Sequence, residues 1–458
     1  MIKNLNFLIL DVYPNDNWRI VKDTAGGYGT GNNFGHNFLG RLMNFFVSKL
    51  ITMPPMFAIY VNSIIKNKGS NVEYSKKIPN ENEIKKYDYI IMPSSIIAHE
   101  TEISVIRKLS DLNAKIFVIG IFANVKKTSY QFKNSYVVSG EPESFFIENN
   151  LNKENLDKFF NSKNNNTYFG KPFVNNLDDL PFPNWDDYLN KYPLKNNFLG
   201  FNNKTAIPIV ATRGCPYSCF NYCTYPLQQG RKVRFRSVKN VLDEIIKWQK
   251  ELGVTKFIFR DPVFSIKREY TVELCEAIIK LNFKIEFLIE THLANLDDEL
   301  IDLLYKAGLR FIYVGIESVD GKVLNNMKRH TTNKDYQYSI ITKLEKKGIS
   351  VKSMFMLGNP EDDENSMMDT IKYSSLLPNK FVQFSVFTPY PGTPIFKEFE
   401  NKINTTKMED FNQYNLVFEH KFINNKILKK YKHIAYKNFY INLNNLGTII
   451  KSVTSVFR

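Results

Sequence analysis

The residues best placed by type and spacing to do chemistry are three cysteines, Cys215, Cys219 and Cys223, in the run Arg213-Gly214-Cys215-Pro216-Tyr217-Ser218-Cys219-Phe220-Asn221-Tyr222-Cys223. Three thiolates on one tight loop can each bind one iron of a cubane [4Fe-4S] cluster, which ordinarily takes four cysteines. With only three nearby, one iron is left open to a ligand that is not protein, and an open position separates a catalytic centre from a closed structural one. A structural zinc site or three unrelated thiols are the alternatives. Zinc calls for a fourth Cys or His at short spacing. The fourth cysteine, Cys275, lies far downstream in the helical pattern Leu274-Cys275-Glu276-Ala277-Ile278 and reads as a small buried apolar residue. Four cysteines in 458 residues make no disulfide framework, and three of them clustered in a reducing compartment point to metal.

Such a loop needs rigid support, and the flanking sequence supplies a βα series. Strands are predicted at Ala206–Thr212, directly before the loop, then at Lys256–Arg260, Lys284–Glu290, Phe311–Glu317, Ser350–Leu357 and Phe381–Phe387. Helical patterns fall between them at Ser237–Leu252, Thr271–Leu281, Asp297–Ala307, Lys334–Lys347 and Asn365–Leu377. Ser237 suits an N-cap, and Gly253, Gly308 and Gly348 suit left-handed helix ends. Six strands with about five helices describe a partial (β/α)6 barrel with its chemistry at the strand carboxyl ends.

Residues 1–150 alternate apolar runs with helical patterns in the same way. Strands are predicted at Asn6–Val12, Asn71–Ser75, Tyr89–Pro93, Lys115–Ile121 and Ser135–Ser139, with helices from Pro54-Pro55 to Gly69 and over Glu100–Leu112. Right-handed crossovers would make this a flavodoxin-like (Rossmann-like) doubly wound α/β domain, with ligands at Asp11–Pro14, Pro93–Ser95, Ile121–Ala123 and Gly140–Glu143. Residues 151–200 are polar, Asn-rich and punctuated by Pro, and read as a linker along a surface. The barrel then spans 201–400 and a basic, helical extension 401–458.

Composition is compatible with two packed domains: 43% apolar and 14% aromatic residues. There is no uninterrupted apolar run near 18 residues, and the apolar run before Asp11 is too short for a signal-peptide core, so a cytoplasmic protein is expected. More than half of the +15 net charge comes from Lys421 to Arg458, with seven Lys, one Arg and no acidic residue. Ile427, Leu428, Tyr431, Ile434, Ala435 and Phe439 recur there at helical spacing with lysines opposite. That face is either solvated, on a helix packed against the barrel, or it makes peripheral contact with an anionic membrane surface. No nucleic-acid partner is expected.

With the cysteine loop after a first barrel strand, the chain resembles the radical S-adenosylmethionine (SAM) superfamily, and more narrowly the cobalamin (B12)-binding domain-containing radical SAM proteins. The resemblance covers nearly the whole chain. It implies that the open iron chelates SAM, and that one electron cleaves the sulfonium to a 5′-deoxyadenosyl radical. The common spacing is Cys-x-x-x-Cys-x-x-Cys, whereas three residues separate Cys219 from Cys223 here. By resemblance, Tyr222 packs on adenine and Asp261 contacts the SAM amino group. Glu317 and Ser318, in Gly315-Ile316-Glu317-Ser318, meet the SAM sugar and amino-acid part. Glu290 with Thr291 and His292, and Gly358-Asn359-Pro360-Glu361, close further strands and face the site, His292 reading as structural. Gly230-Arg231-Lys232-Val233-Arg234-Phe235-Arg236-Ser237 caps the next helix and rings the cluster with positive charge.

For the first domain the resemblance implies cobalamin, with Gly140 and Glu141 at the strand ends. The cobalt-ligating signature Asp-x-His-x-x-Gly is absent and His36 does not fit it. The Gly-rich run Ala25-Gly26-Gly27-Tyr28-Gly29-Thr30-Gly31 is read as backbone passing close to a flat ligand or to the barrel mouth. The implied activity is cobalamin-dependent C-methylation of a small-molecule or lipid-linked substrate, with flavodoxin or ferredoxin as electron donor. The alternatives are a cobalamin-independent enzyme such as a methylthiotransferase, or a non-catalytic Fe–S redox or binding protein. Methylthiotransferases carry three further cysteines before the barrel, and residues 1–200 contain none.

Overall fold

The computed structural model describes residues 4–15, 19–32, 38–48, 50–161, 172–195 and 204–440. The amino-terminal strands are β1 (Asn6–Leu10), β2 (Arg19–Val21), β3 (Thr30–Asn32), β4 (Asn71–Ser75), β5 (Tyr89–Pro93), β6 (Ile116–Ile119) and β7 (Ser135–Val137). Five of them form a parallel sheet in the order β4-β1-β5-β6-β7. β5 and β6 are buried along their whole length and β1 along all but its first residue, because helices cover both faces; this is why they read as unbroken apolar runs. Strand order reverses between β1 and β5, the flavodoxin-like arrangement.

The barrel strands are β8 (Ala206–Ile209), β9 (Thr212–Arg213), β10 (Arg234–Phe235), β11 (Lys256–Phe259), β12 (Glu286–Thr291), β13 (Leu309–Glu317), β14 (Ser350–Leu357) and β15 (Phe381–Val386). Six of these pair in parallel as β15-β14-β13-β12-β11-β8, leaving the barrel open between β15 and β8. The expected strand Ala206–Thr212 is split. β8 stops at Ile209, and Thr212–Arg213 turn away to pair antiparallel with β10, which redirects the chain into the cysteine loop. The connecting helices follow the sequence signals. Ser237 Oγ accepts the Asn240 N–H to start Val238–Leu252, and Gly253, Gly308 and Gly348 end their helices in the left-handed region. Val241, Ile245 and Trp248 of that first helix are buried, each stabilising the fold by about 1.5–3 kcal/mol.

Two expectations are corrected. Residues 172–195 are not a surface linker: Leu177, Trp185 and Tyr188 lie in the core shared by sheet and barrel, and Trp185–Lys191 is helical. The apolar side chains in this segment are sparse but large, so few are needed to anchor it. A two-stranded hairpin, β2–β3, and the helix Phe38–Ser48 fall where no element was expected. The tail helix Asn425–Tyr440 buries Leu428, Tyr431, Ala435 and Phe439 against the helix Glu364–Leu376 and β15. Its apolar stripe is therefore covered by the barrel, the packed-helix arrangement named above. No helix of the described residues is long and apolar enough to cross a membrane. His36 and residues 441–458 lie outside the described residues.

Candidate functional site

The cysteine loop is shaped by Gly214, whose φ is +100° and where a Cβ would lie 2.2 Å from the Lys232 carbonyl oxygen, so only glycine fits. Ser218–Asn221 form a 3-10 turn, and the N–H of Cys223 donates to the Cys219 carbonyl at 3.0 Å. A bond of that i to i+4 kind places Cys219 and Cys223 on one side of a single helical turn. The extra residue is thus wound into the turn. Cys215 and Cys219 are buried and Cys223 is partly exposed. All three thiols are pushed up, first by burial; Cys219 also raises Cys215 and Cys223, Cys215 raises Cys223, and Glu317 raises Cys219 against the pull of Arg329. Among the described residues no three His, Cys, Asp or Glu side chains converge closely enough for a single metal ion. The three thiols act on one another electrostatically, and as a donor set they suit a cubane, in which each would bind its own iron.

Two cations attend the loop. Arg329 Nη1 lies 3.9 Å from Cys219 Sγ, and its Nη2 donates to the Gly315 carbonyl at 2.8 Å and stands 3.7 Å from Glu317. Arg231 donates to the Pro216 carbonyl at 2.6 Å. The expected ring of positive charge is corrected here, because Arg234 and Arg236 turn away into buried ion pairs with Glu141 and Glu244. Sequence reasoning missed Arg329; one arginine in the run Lys328-Arg329-His330 carries no local signal.

The expected SAM-contact residues divide. Tyr222 and Glu317 come to the cysteines: both belong to the charge environment of Cys219 and Arg329. Glu317 adopts φ +68° at a register shift in β13, a left-handed conformation costly for glutamate, and burial pushes its carboxyl up against the pull of Arg329. Glu290, level with Tyr313 and so with Lys352 across β12–β14, faces the barrel interior with Arg260; burial pushes it up. Asp261 behaves differently. Its two oxygens accept the backbone N–H groups of Ala211 (3.2 Å) and Thr212, and burial raises it to about 6. It holds the strand end from which the cysteine loop departs. Ser318 is buried against Thr370 and accepts the Asp320 N–H. Glu361 is exposed and accepts from Asn326, while Gly358 turns beneath Leu428 of the tail helix. His292 donates from Nε2 to the His330 carbonyl and accepts the Ala294 N–H at Nδ1; burial lowers it to about 4, a neutral structural histidine.

Between the carboxyl ends of the two sheets lies a small cleft of about 50 Å³. Gly120 and Gly140 line it from the first sheet beside Phe57 and Ile121, and Tyr225 and Gln228 line it from the helix after the cysteine loop. Below Gly140, Glu141 is held by both guanidinium nitrogens of Arg234 at 2.7 and 2.8 Å, while Arg213 binds Glu143 at 2.8 Å. Glu141 thus docks the first domain on the barrel. The Gly-rich run also meets the barrel mouth, since a Cβ at Gly26 (φ +59°) would lie 2.6 Å from the Thr224 backbone.

Residues 209–373 match the radical SAM superfamily, so the chain carries a radical SAM domain. Its whole fold, Rossmann-like sheet included, is that of two solved proteins. One is TsrM from Kitasatospora setae, a radical S-adenosylmethionine methyltransferase with tryptophan and a SAM analogue bound (TM-score 0.65, 15% identity, 95% of this chain and 89% of that one). The other is OxsB, a cobalamin-dependent S-adenosylmethionine radical enzyme with aqua-cobalamin and SAM bound (TM-score 0.64, 14% identity, 94% and 66%). Among curated proteins the chain is similar to bacteriochlorophyllide d C-12(1)-methyltransferase of Chlorobaculum tepidum, 31% identical over 219 residues and 47% of either chain. It spans about half the length of the curated relatives it matches.

Proposed function

We propose that the chain is a cobalamin-dependent radical SAM enzyme that methylates an unreactive carbon of a small-molecule substrate. The observation that carries this reading is the cleft in which the strand ends of a flavodoxin-like sheet face the barrel beside a three-cysteine loop. The same two-domain fold in OxsB holds cobalamin and SAM, and the curated relative is a methyltransferase. When bound, the cofactors would supply the hard chemistry: a cluster electron to cleave SAM, and a methyl group carried on cobalt.

The chain's own residues bind and orient. Cys215, Cys219 and Cys223 would hold the cluster, leaving one iron open. Arg329 places positive charge beside Cys219 and fixes Glu317 near the open side, where Glu317 and Tyr222 would position SAM. Gly120 and Gly140 line the cleft at the strand ends, beside Phe57, where a flat corrinoid would lie. Asp261 and the Glu141–Arg234 pair are positioning residues, the first for the loop and the second for the domain interface. Exposed Arg231 and Lys232 give the loop a basic rim for an acidic electron donor such as flavodoxin or ferredoxin.

The test is anaerobic reconstitution with iron, sulfide and hydroxocobalamin, followed by desalting, absorption spectroscopy and an assay of SAM cleavage after reduction. Retained corrinoid bands with 5′-deoxyadenosine formation are expected. Deoxyadenosine without corrinoid would remove cobalamin from the reading, and neither would remove the enzyme.

A further inference from the structure

The packing that covers the apolar stripe of the tail helix turns its opposite face outward. Lys426, Lys429, Lys430, His433 and Lys437 are all exposed there. Their offsets of 3, 4, 7 and 11 residues set them on one side of the helix. At 1.5 Å per residue the row is about 17 Å long. Lys421 and Phe422, both exposed, stand just ahead of it. From Lys421 onward the sequence holds no Asp or Glu, and among the described residues no carboxylate pairs with a lysine of the row. The carboxylates of the adjoining helix are otherwise engaged: Glu364 accepts the Tyr431 hydroxyl at 2.8 Å, and Asp369 stands 3.9 Å from Lys372.

Other barrel helices match lysine with acid. Lys239 meets Asp243 and Lys247 meets Glu251 one turn along, while Lys343 and Lys347 reach Asp298 and Asp302 on a neighbouring helix. On the tail helix like charges at i, i+3 and i+4 repel instead, so the row gains from an anion outside the chain. The type of side chain narrows that anion. The row has four lysines and no arginine, on a convex helix. Protein interfaces are enriched in Arg and depleted in Lys, and base edges are read chiefly by bidentate Arg, Asn and Gln. Flexible lysines act as point charges, which suits lipid headgroups in no fixed arrangement. The helix also lies along the open side of the barrel. β15 is an edge strand of the six-stranded sheet, and the hydroxyls of Tyr436 and Tyr440 accept the N–H groups of Phe384 and Val382 at 3.1 and 3.3 Å.

We propose that the face formed by Lys426, Lys429, Lys430 and Lys437 docks the protein on an anionic lipid surface. The contact is electrostatic, made by the lysines, because the apolar stripe of the same helix is already packed on the barrel. Docking through this helix sets the open side of the barrel beside the lipid, the side from which a membrane-borne substrate would enter. The inference goes beyond the enzymatic reading and depends on neither cofactor.

The full chain, with and without reconstituted cluster, is sedimented with vesicles of phosphatidylcholine alone and of phosphatidylcholine with about 30% phosphatidylglycerol. Wild-type protein binds the anionic vesicles, stays off the neutral ones, and is released at about 1 M salt, where the screening length falls to about 3 Å. One lysine near such a surface is worth about fivefold in partition, so Lys429→Gln combined with Lys430→Gln weakens binding about 25-fold. Lys426→Gln combined with Lys437→Gln, at the two ends of the row, does the same. The control removes two charges elsewhere on the barrel, Lys239→Gln with Lys343→Gln, and leaves binding unchanged; circular dichroism checks that each variant is folded. The proposal is overturned if wild-type protein does not bind anionic vesicles, if it binds neutral ones equally, if both tail variants bind as wild type does, or if the control weakens binding equally. A duplex DNA or oxidised flavodoxin that binds through the same lysines and strips the protein from vesicles makes the partner a nucleic acid or an acidic protein, and overturns the lipid assignment. Corrinoid retention and SAM cleavage are read separately. If both are absent while vesicle binding still depends on the row, the enzymatic reading fails and the docking face stands.

Discussion

Replacing Arg236 by methionine tests how the barrel holds the strand that leads into the cysteine loop. Arg236 is buried, donates from Nη1 to the Val210 carbonyl at 2.8 Å and to Glu244 at 2.5 Å, and donates from Nε to Asn240 at 2.6 Å. Glu244 is fully buried, and its other oxygen has no partner among the described residues. Without Arg236, the isolated carboxylate would be stranded, so it takes up a proton instead. Keeping a carboxyl of ordinary pKa about 4.3 protonated at pH 7 costs about 3.7 kcal/mol. That agrees with the loss of about 3–5 kcal/mol expected on breaking a buried pair from one side. Burial already raises Glu244 against the pull of Arg236, and the substitution raises it further. Because the folded pKa lies above the unfolded one, the carboxyl's contribution is intact below about pH 4.3 and declines as pH rises toward the folded pKa, by up to about 1.4 kcal/mol per unit. Arg236→Met should therefore unfold at much lower urea than wild type at pH 7 and approach it near pH 4.5. Adding Glu244→Gln should recover all but about 2–3 kcal/mol, the worth of the lost bonds to Val210 and Asn240. Urea denaturation at both pH values, read by buried Trp248 fluorescence and circular dichroism, measures this. A single variant as stable as wild type at pH 7, or a double variant no better than the single, would refute the reasoning.

Alanine at Cys215, Cys219 or Cys223 should each abolish the charge-transfer absorption of the reconstituted cluster, whereas Cys275→Ala, in the core of its helix, should keep it; iron and sulfide analysis checks this. Asp261→Asn loses one of two acceptors for the Ala211 and Thr212 N–H groups and turns an amide N–H toward the other, so cluster yield should fall with little change in far-ultraviolet circular dichroism. Gly26→Ala forces a side chain against Thr224 in a left-handed backbone, and should lower stability by about 1–3 kcal/mol, measured as a fall in Tm. Arg329→Met removes the cation beside Cys219 and should shift the cluster's potential downward in an EPR-monitored redox titration, since positive charge favours the reduced state.

Much of the scaffold was legible along the chain. β1, β5 and β6 announce themselves because both faces are buried, and Asn71–Ser75 and Tyr89–Pro93 end where their sequence signals end. The hairpin β2–β3 was not legible. Its strands have three residues each, too few for a period to show, and they pair only because the chain is held at the barrel mouth by Asp23 on Arg260 and Gly26 on Thr224. The segment around Trp185 looked like a linker because its apolar residues keep no helical or strand spacing; they fill a gap between two bodies, and that gap has no sequence period.

The sequence by itself determined the chemistry on offer: three thiols on one short loop, a strand before it, and two parallel sheets whose carboxyl ends must carry the ligands. Those are local facts, set by spacing and by the alternation of apolar and polar residues. Tertiary structure alone decided which charges meet. Arg234 and Arg236, adjacent to the loop in sequence, leave it for Glu141 and Glu244, while Arg329, more than a hundred residues on, returns to Cys219. It likewise turned Asp261 onto the backbone and set Lys352 over the Tyr313 ring. Partners for buried charges are chosen across the fold by desolvation and geometry, and neither is written in the spacing of residues along a chain.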